Sequence, residues 1–107
     1  MSKVYISGPI TNTPDFEVNF QKRADELHEM GYTVCNPVLF NEILRKQLHR
    51  EPTYQEYLKK DIAALVECDG ISFLDGSENS VGSRLEREIA DKCGIPIVEI
   101  TRLSKKW

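Results

Sequence analysis

Glu86 and Asp61 are the residues of this chain whose type and spacing best suit chemistry. Each is a carboxylate on a helical pattern, and each falls on the apolar side of that pattern. At about 100° per residue, with Leu85 at zero, Ile89, Cys93 and Ala90 fall at about 40°, 80° and 140°. Arg84, Arg87, Glu88, Asp91 and Lys92 take the opposite arc, while Glu86 lands at about 100°, among the apolar positions. On the helical pattern over residues 53–66, with Leu58 at zero, Asp61 lies at about 300°, between Tyr57 and Tyr54. An ionised carboxylate taken out of water is costly unless it is paired, so each needs a local partner or a function.

Local partners are available for both. Ser83-Arg84-Leu85-Glu86 matches the capping-box pattern, which would tie Glu86 to the start of its own helix. Asp61 would be satisfied by a buried tyrosine or a loop N–H. The functional alternative is that two carboxylates beside one crevice cleave a glycosidic bond, one as nucleophile and one as acid. Other chemistries find less support. The stretch from Gly76 to Gly82 has no P-loop lysine and no dinucleotide-binding glycine spacing, and no Ser or Cys sits in a nucleophile elbow.

The elements that must position these groups alternate. Residues 3–7 read as a strand, and Gly8-Pro9 breaks it. A helix follows to about Met30, with Thr13 as N-cap, Pro14 at the first helical position and Gly31 as terminator. Residues 32–35 form a second strand, and residues 38–48 a helix with Leu39, Ile43 and Leu44 as its apolar side. Thr53 and Glu56 form a capping box that opens the Asp61 helix. A third strand covers residues 71–74 and the Glu86 helix residues 83–93. Gly94 stops that helix, and residues 95–100 form a fourth strand.

Strands alternating with helices predict an α/β fold: a three-layer, flavodoxin-like or Rossmann-like parallel sheet of about four strands with helices on both faces. Right-handed crossovers favour strand 1 at the centre, strand 2 on one side and strands 3 and 4 on the other. The switch point then lies between strands 1 and 3. The loops over residues 8–13 and 75–82 line the crevice there, where ligands bind in such sheets.

The totals fit one soluble domain over residues 1–107. A net charge of -3 with no basic footprint points away from nucleic acid. The basic tail of Arg102, Lys105 and Lys106 reads as a solvated terminus. No secretory signal and no membrane-spanning run is evident, so a cytoplasmic location is expected. Cys35, Cys68 and Cys93 read as buried thiols in a reducing compartment, and His28 and His49 as surface residues.

The chain resembles the nucleoside 2-deoxyribosyltransferase superfamily, which also holds N-glycosidases of (deoxy)nucleoside 5′-monophosphates. It resembles most a branch of short proteins frequent in phage genomes. The likeness spans nearly the whole chain. It rests on Val4-Tyr5-Ile6-Ser7-Gly8-Pro9-Ile10, on Asp61 before Cys68-Asp69-Gly70, and on Ser80-Val81-Gly82-Ser83-Arg84-Leu85-Glu86. Ala90 and Gly94-Ile95-Pro96-Ile97 follow at the expected offsets.

The resemblance implies catalytic roles for Glu86 as nucleophile on the anomeric carbon, for Asp61 at the leaving base and for Tyr5, which orients the glutamate. It implies substrate-binding roles for Ser7, Gly8 and Ile10 after the first strand, and for Ser80 and Gly82 in the second loop, with Ser80 on the 5′-phosphate. Thr11 stands where hydrolases of the superfamily often carry a basic residue. The implied activity is an N-glycosidase on a nucleoside 5′-monophosphate. The alternatives are a nucleoside 2-deoxyribosyltransferase or a non-catalytic nucleotide-binding module. No cofactor and no metal is implied, and the expected partners are a nucleotide or nucleoside and a second copy of the chain in a dimer or larger assembly.

Overall fold

The computed structural model describes residues 2–100 of the 107. The basic tail lies outside the described residues. Three parallel strands form the sheet: β1 (Lys3–Ser7) at the centre, β2 (Thr33–Cys35) on one side and β3 (Gly70–Phe73) on the other. The helices are α1 (Phe16–Glu29), α2 (Pro37–Leu48), α3 (Tyr54–Leu65) and α4 (Val81–Lys92). This is the expected α/β class and strand order.

The anticipated fourth strand is reduced to one bridge, Ile97 to Ile71. Ile71 donates its N–H to the Pro96 carbonyl at 3.0 Å, and Val98 donates to the Ile71 carbonyl at 2.8 Å. Pro96 has no N–H to give, so the ladder cannot extend on the N-terminal side of this bridge. It still covers the edge of β3: a Cβ on Gly70 would come within 2.7 Å of the Val98 side chain.

Two apolar clusters flank the sheet. Val4 and Ile6 pack with Phe20, Ala24, Leu27 and Leu74 on the α1 side. Tyr5 and Ile71 pack with Leu65, Cys68 and Ala90 on the α3–α4 side. Successive side chains of β1 therefore point to opposite layers, the period-2 rule of a strand. β1 is buried from Val4 through Ser7 because helices cover both of its faces.

Several local boundaries differ from expectation. α1 begins at Phe16 after a turn, with Asp15 rather than Thr13 at its N-cap and no side-chain cap. In α2, Leu39 and Ile43 are 54% and 55% exposed, and the inward residues are Pro37, Asn41 and Leu44. Asn36 caps that helix by accepting from the Val38 N–H at 3.0 Å. Cys68 is buried and Cys35 half-buried, but Cys93 is exposed at the end of α4. The Thr53–Glu56 capping box is present in both directions. No described helix is long and apolar enough to cross a membrane.

Candidate functional site

α4 begins at Val81, two residues before the expected start at residue 83. Ser80 is the N-cap, and its Oγ accepts from the Ser83 N–H at 3.3 Å. The pattern Ser83-x-x-Glu86 is therefore no capping box. Glu86 lies in the second turn, where the helix's own N–H groups are already bonded, and must find its partners elsewhere.

Those partners come from β1. Tyr5 donates its hydroxyl to Glu86 Oε2 at 2.6 Å, and Ser7 donates to Glu86 Oε1 at 2.6 Å. These lengths are those of O–H···O⁻ bonds to an ionised acceptor. Ser7 Oγ also lies 3.0 Å from Ser83 Oγ. Tyr5 and Ser7 are two apart on a strand, so both side chains face α4.

Glu86 is only 6% exposed. Burial pushes its carboxyl above the usual range, and the Ser7 and Tyr5 hydrogen bonds pull the other way. Burial, and then the Glu86 charge, drives the Tyr5 hydroxyl far up, so it stays a donor at any working pH. No salt bridge among the described residues involves Glu86. A carboxylate held by neutral donors in a dry setting keeps more of its basicity than one neutralised by a cation.

Asp61 lines the same cleft from α3. Burial raises its carboxyl to about 7, the Glu86 charge adds to the rise, and the hydrogen bond from Asn41 opposes it. That bond runs from Asn41 Nδ2 to Asp61 Oδ1 at 3.0 Å, while Asn41 Oδ1 is buried with no partner among the described residues. Near neutral pH, one carboxyl is thus poised to hold a proton beside another that is tied to hydroxyl donors.

The cleft, about 1000 Å³, opens where the loops after β1 and β3 meet, the expected switch point. Gly8, Ile10, Ser80 and Gly82 all line it, with Tyr5, Asp61 and Glu86 at its floor and wall. Ser7 is buried and does not line the cleft; it reaches it through Glu86 and Ser83, which do. Gly8 has a packing reason besides: a Cβ there would meet Leu74 at 2.6 Å. Gly76 adopts a φ of +86°, which starts the 3-10 turn Ser77–Asn79 leading to Ser80.

Sequence reasoning missed Asn41, Arg45 and Tyr57 in the cleft wall. Asn41 and Arg45 are four apart on α2 and so share a face, which was the available signal. Leu39 and Ile43 suggested a different inner face. Among the described residues no group of three or more His, Cys, Asp or Glu is arranged to hold a metal ion.

No curated protein and no solved structure matches the chain significantly. The family model described as domain of unknown function (DUF4406) matches residues 2–99. That range holds every element of the fold and both carboxylates of the cleft, and the chain belongs to this DUF4406 family.

Proposed function

We propose that this protein hydrolyses the N-glycosidic bond of a (deoxy)nucleoside 5′-monophosphate, with Glu86 as nucleophile and Asp61 as acid. The observation that carries the reading is Glu86 itself. It is a buried carboxylate held by two hydroxyl donors at 2.6 Å, with a second carboxyl raised to about 7 across the same cleft. Glycoside cleavage uses two such carboxyls, one as nucleophile and one as acid, and the two here sit in different settings, Glu86 on hydroxyl donors and Asp61 on an amide.

Each Glu86 oxygen accepts one hydrogen bond and keeps a lone pair for attack. In the first step that lone pair forms a bond to the anomeric carbon. The carbon–nitrogen bond breaks, and its electron pair goes to the base. The proton of Asp61 passes to the base, which leaves neutral. In the second step water attacks the anomeric carbon and gives its proton to the Asp61 carboxylate, while the ester bond to Glu86 breaks and the carboxylate returns. Tyr5 and Ser7 hold the nucleophile in one orientation throughout. The Ser80 hydroxyl and the first-turn N–H groups of α4 suit the 5′-phosphate, which favours hydrolysis of a monophosphate over base exchange on a free nucleoside.

The test is incubation with a panel of nucleosides and 5′-monophosphates, with chromatography for free base. Monophosphates are expected to release base and sugar phosphate, and Glu86→Gln is expected to lower the rate at least about a thousandfold. Thermal stabilisation by nucleotides without product would instead identify a binding module. A rate unchanged by Glu86→Gln removes the mechanism.

A further inference from the structure

The cleft wall continues past Asp61 in a second polar rung. Asn41 and Arg45 lie four residues apart on α2, and Asp61 and Tyr57 four apart on α3. The inner rung is the Asn41–Asp61 bond. In the outer rung Arg45 Nη1 donates to the Tyr57 hydroxyl at 3.2 Å, and Tyr57 in turn donates to Glu51 Oε2 at 2.6 Å. All five residues line the cleft that holds Glu86. Asn41 is buried, Asp61, Arg45 and Tyr57 are half-buried and Glu51 is exposed, so the ladder runs outward from the Asn41–Asp61 rung to Glu51.

The outer rung has a definite chemistry. Arg45 offers N–H donors, Glu51 offers acceptor oxygens, and the two charges cancel. Among the described residues, Arg45 is the cation of the cleft lining, and the Tyr57 hydroxyl links it to Glu51, with Asp61 one turn from Tyr57 along α3. A phosphate there would gain one cation and face two carboxylates. A neutral ring edge that presents an acceptor beside an N–H would satisfy Arg45 and Glu51 together.

Distance selects the ring. Four residues of helix advance about 6 Å, so Tyr57 and its outer rung sit about that far along α3 from Asp61, the group that protonates the base. A fused two-ring base spans that gap, and a single ring stops short of it. We propose that Arg45 and Glu51 are specificity-determining residues that read the far edge of a purine base, with Tyr57 as the positioning residue that keeps them in register. This assignment rests on the N-glycosidic reading for its orientation.

The experiment compares purine and pyrimidine 5′-monophosphates with wild type, Arg45→Met and Glu51→Gln. Glu51 is exposed, so its variant tests the same rung at little risk to folding. Purines are expected to show kcat/KM about ten- to a hundredfold above pyrimidines. Each variant should lower the purine value at least about tenfold, through KM more than kcat, and leave the pyrimidine value within about twofold. Equal rates on both classes, or variants that slow both alike, overturn the assignment while the glycosidase reading stands. If nothing is cleaved, that reading falls, and ligand-observed NMR with free adenine, guanine, cytosine and thymine decides the inference. Purine binding that weakens in Arg45→Met supports it, and binding without purine preference or unaffected by Arg45→Met overturns it.

Discussion

Glu56 and Glu86 occupy the same kind of sequence pattern, a hydroxyl residue three positions before a glutamate at the head of a helix, and the fold uses them in opposite ways. Glu56 completes a capping box: it accepts from the Thr53 N–H at 2.8 Å and from Arg50 through both of its oxygens at 2.8 Å. The Arg50 bonds first, and then the Thr53 N–H, hold its carboxyl down at about 2. Among the described residues, Glu86 has no cation partner and no backbone donor from its own helix. It takes two hydroxyl protons from β1, and burial holds its carboxyl above the ordinary range. The first glutamate is satisfied where it stands, in solvent. The second is desolvated and only partly compensated, the condition that leaves a carboxylate reactive.

The largest effect expected from breaking this contrast is at Asp61, which shares the dry cleft with Glu86. Asp61→Asn removes the acid of the proposed reaction, and cleavage should fall about 10²–10⁴-fold in a base-release assay. The same change should raise stability at pH 8. The native carboxyl at about 7 binds its proton more tightly than the unfolded one at 3.8, so its contribution is full at low pH and is lost as pH rises from about 4 to about 7. The full linkage value is about 4 kcal/mol, and partial exposure reduces it to about 2 kcal/mol. Denaturant melts of both proteins at pH 4 and pH 8 check this, and an Asn variant with no gain at pH 8 would remove the raised carboxyl. Glu56, held low, has the opposite sign: its contribution is present above about 4.5 and is lost as pH falls through about 2.

A smaller effect is expected at Tyr5. Tyr5→Phe takes one donor from Glu86, which raises that carboxyl further and costs about tenfold in rate. In a profile of kcat/KM against pH, the acidic limb should move upward while the alkaline limb, set by Asp61 near 7, stays in place. An alkaline limb that moves with Tyr5 would reverse the assignment of the two groups. The smallest effect belongs to the capping box. Thr53→Ala should cost about 1 kcal/mol of stability in a thermal melt and leave kcat/KM unchanged.

Much of the frame was legible because it depends on neighbours in sequence. Thr53 and Glu56 announced the start of α3, and the alternation of strands and helices placed the loops over residues 8–13 and 75–82 at one crevice. The apolar arc of the last helix put Glu86 on the inner face, where it is found. The failures share a cause as well. Ser83-x-x-Glu86 fits the capping-box pattern and Ser80-x-x-Ser83 does not, yet Ser80 caps the helix; only the geometry decides this. The stretch at residues 95–100 has strand composition but makes a single bridge, with Pro96 withholding a donor on its N-terminal side. Asn41 and Arg45 were hidden because α2 turns its Leu39–Ile43 side outward and a polar side toward the cleft.

By itself, the sequence determined that a carboxylate would ride the inner side of a helix that follows a strand and a glycine-bearing loop. Helical period and chain order suffice for that, since both are local. Only the tertiary structure decided what meets it. Tyr5 and Ser7 lie 81 and 79 residues away, and they reach Glu86 because parallel crossovers return the chain to the central strand. The same packing brought Asp61 into the cleft, buried Glu86 and half-buried Asp61. Their departure from ordinary acidity is a property of that enclosure, and no spacing along the chain encodes it.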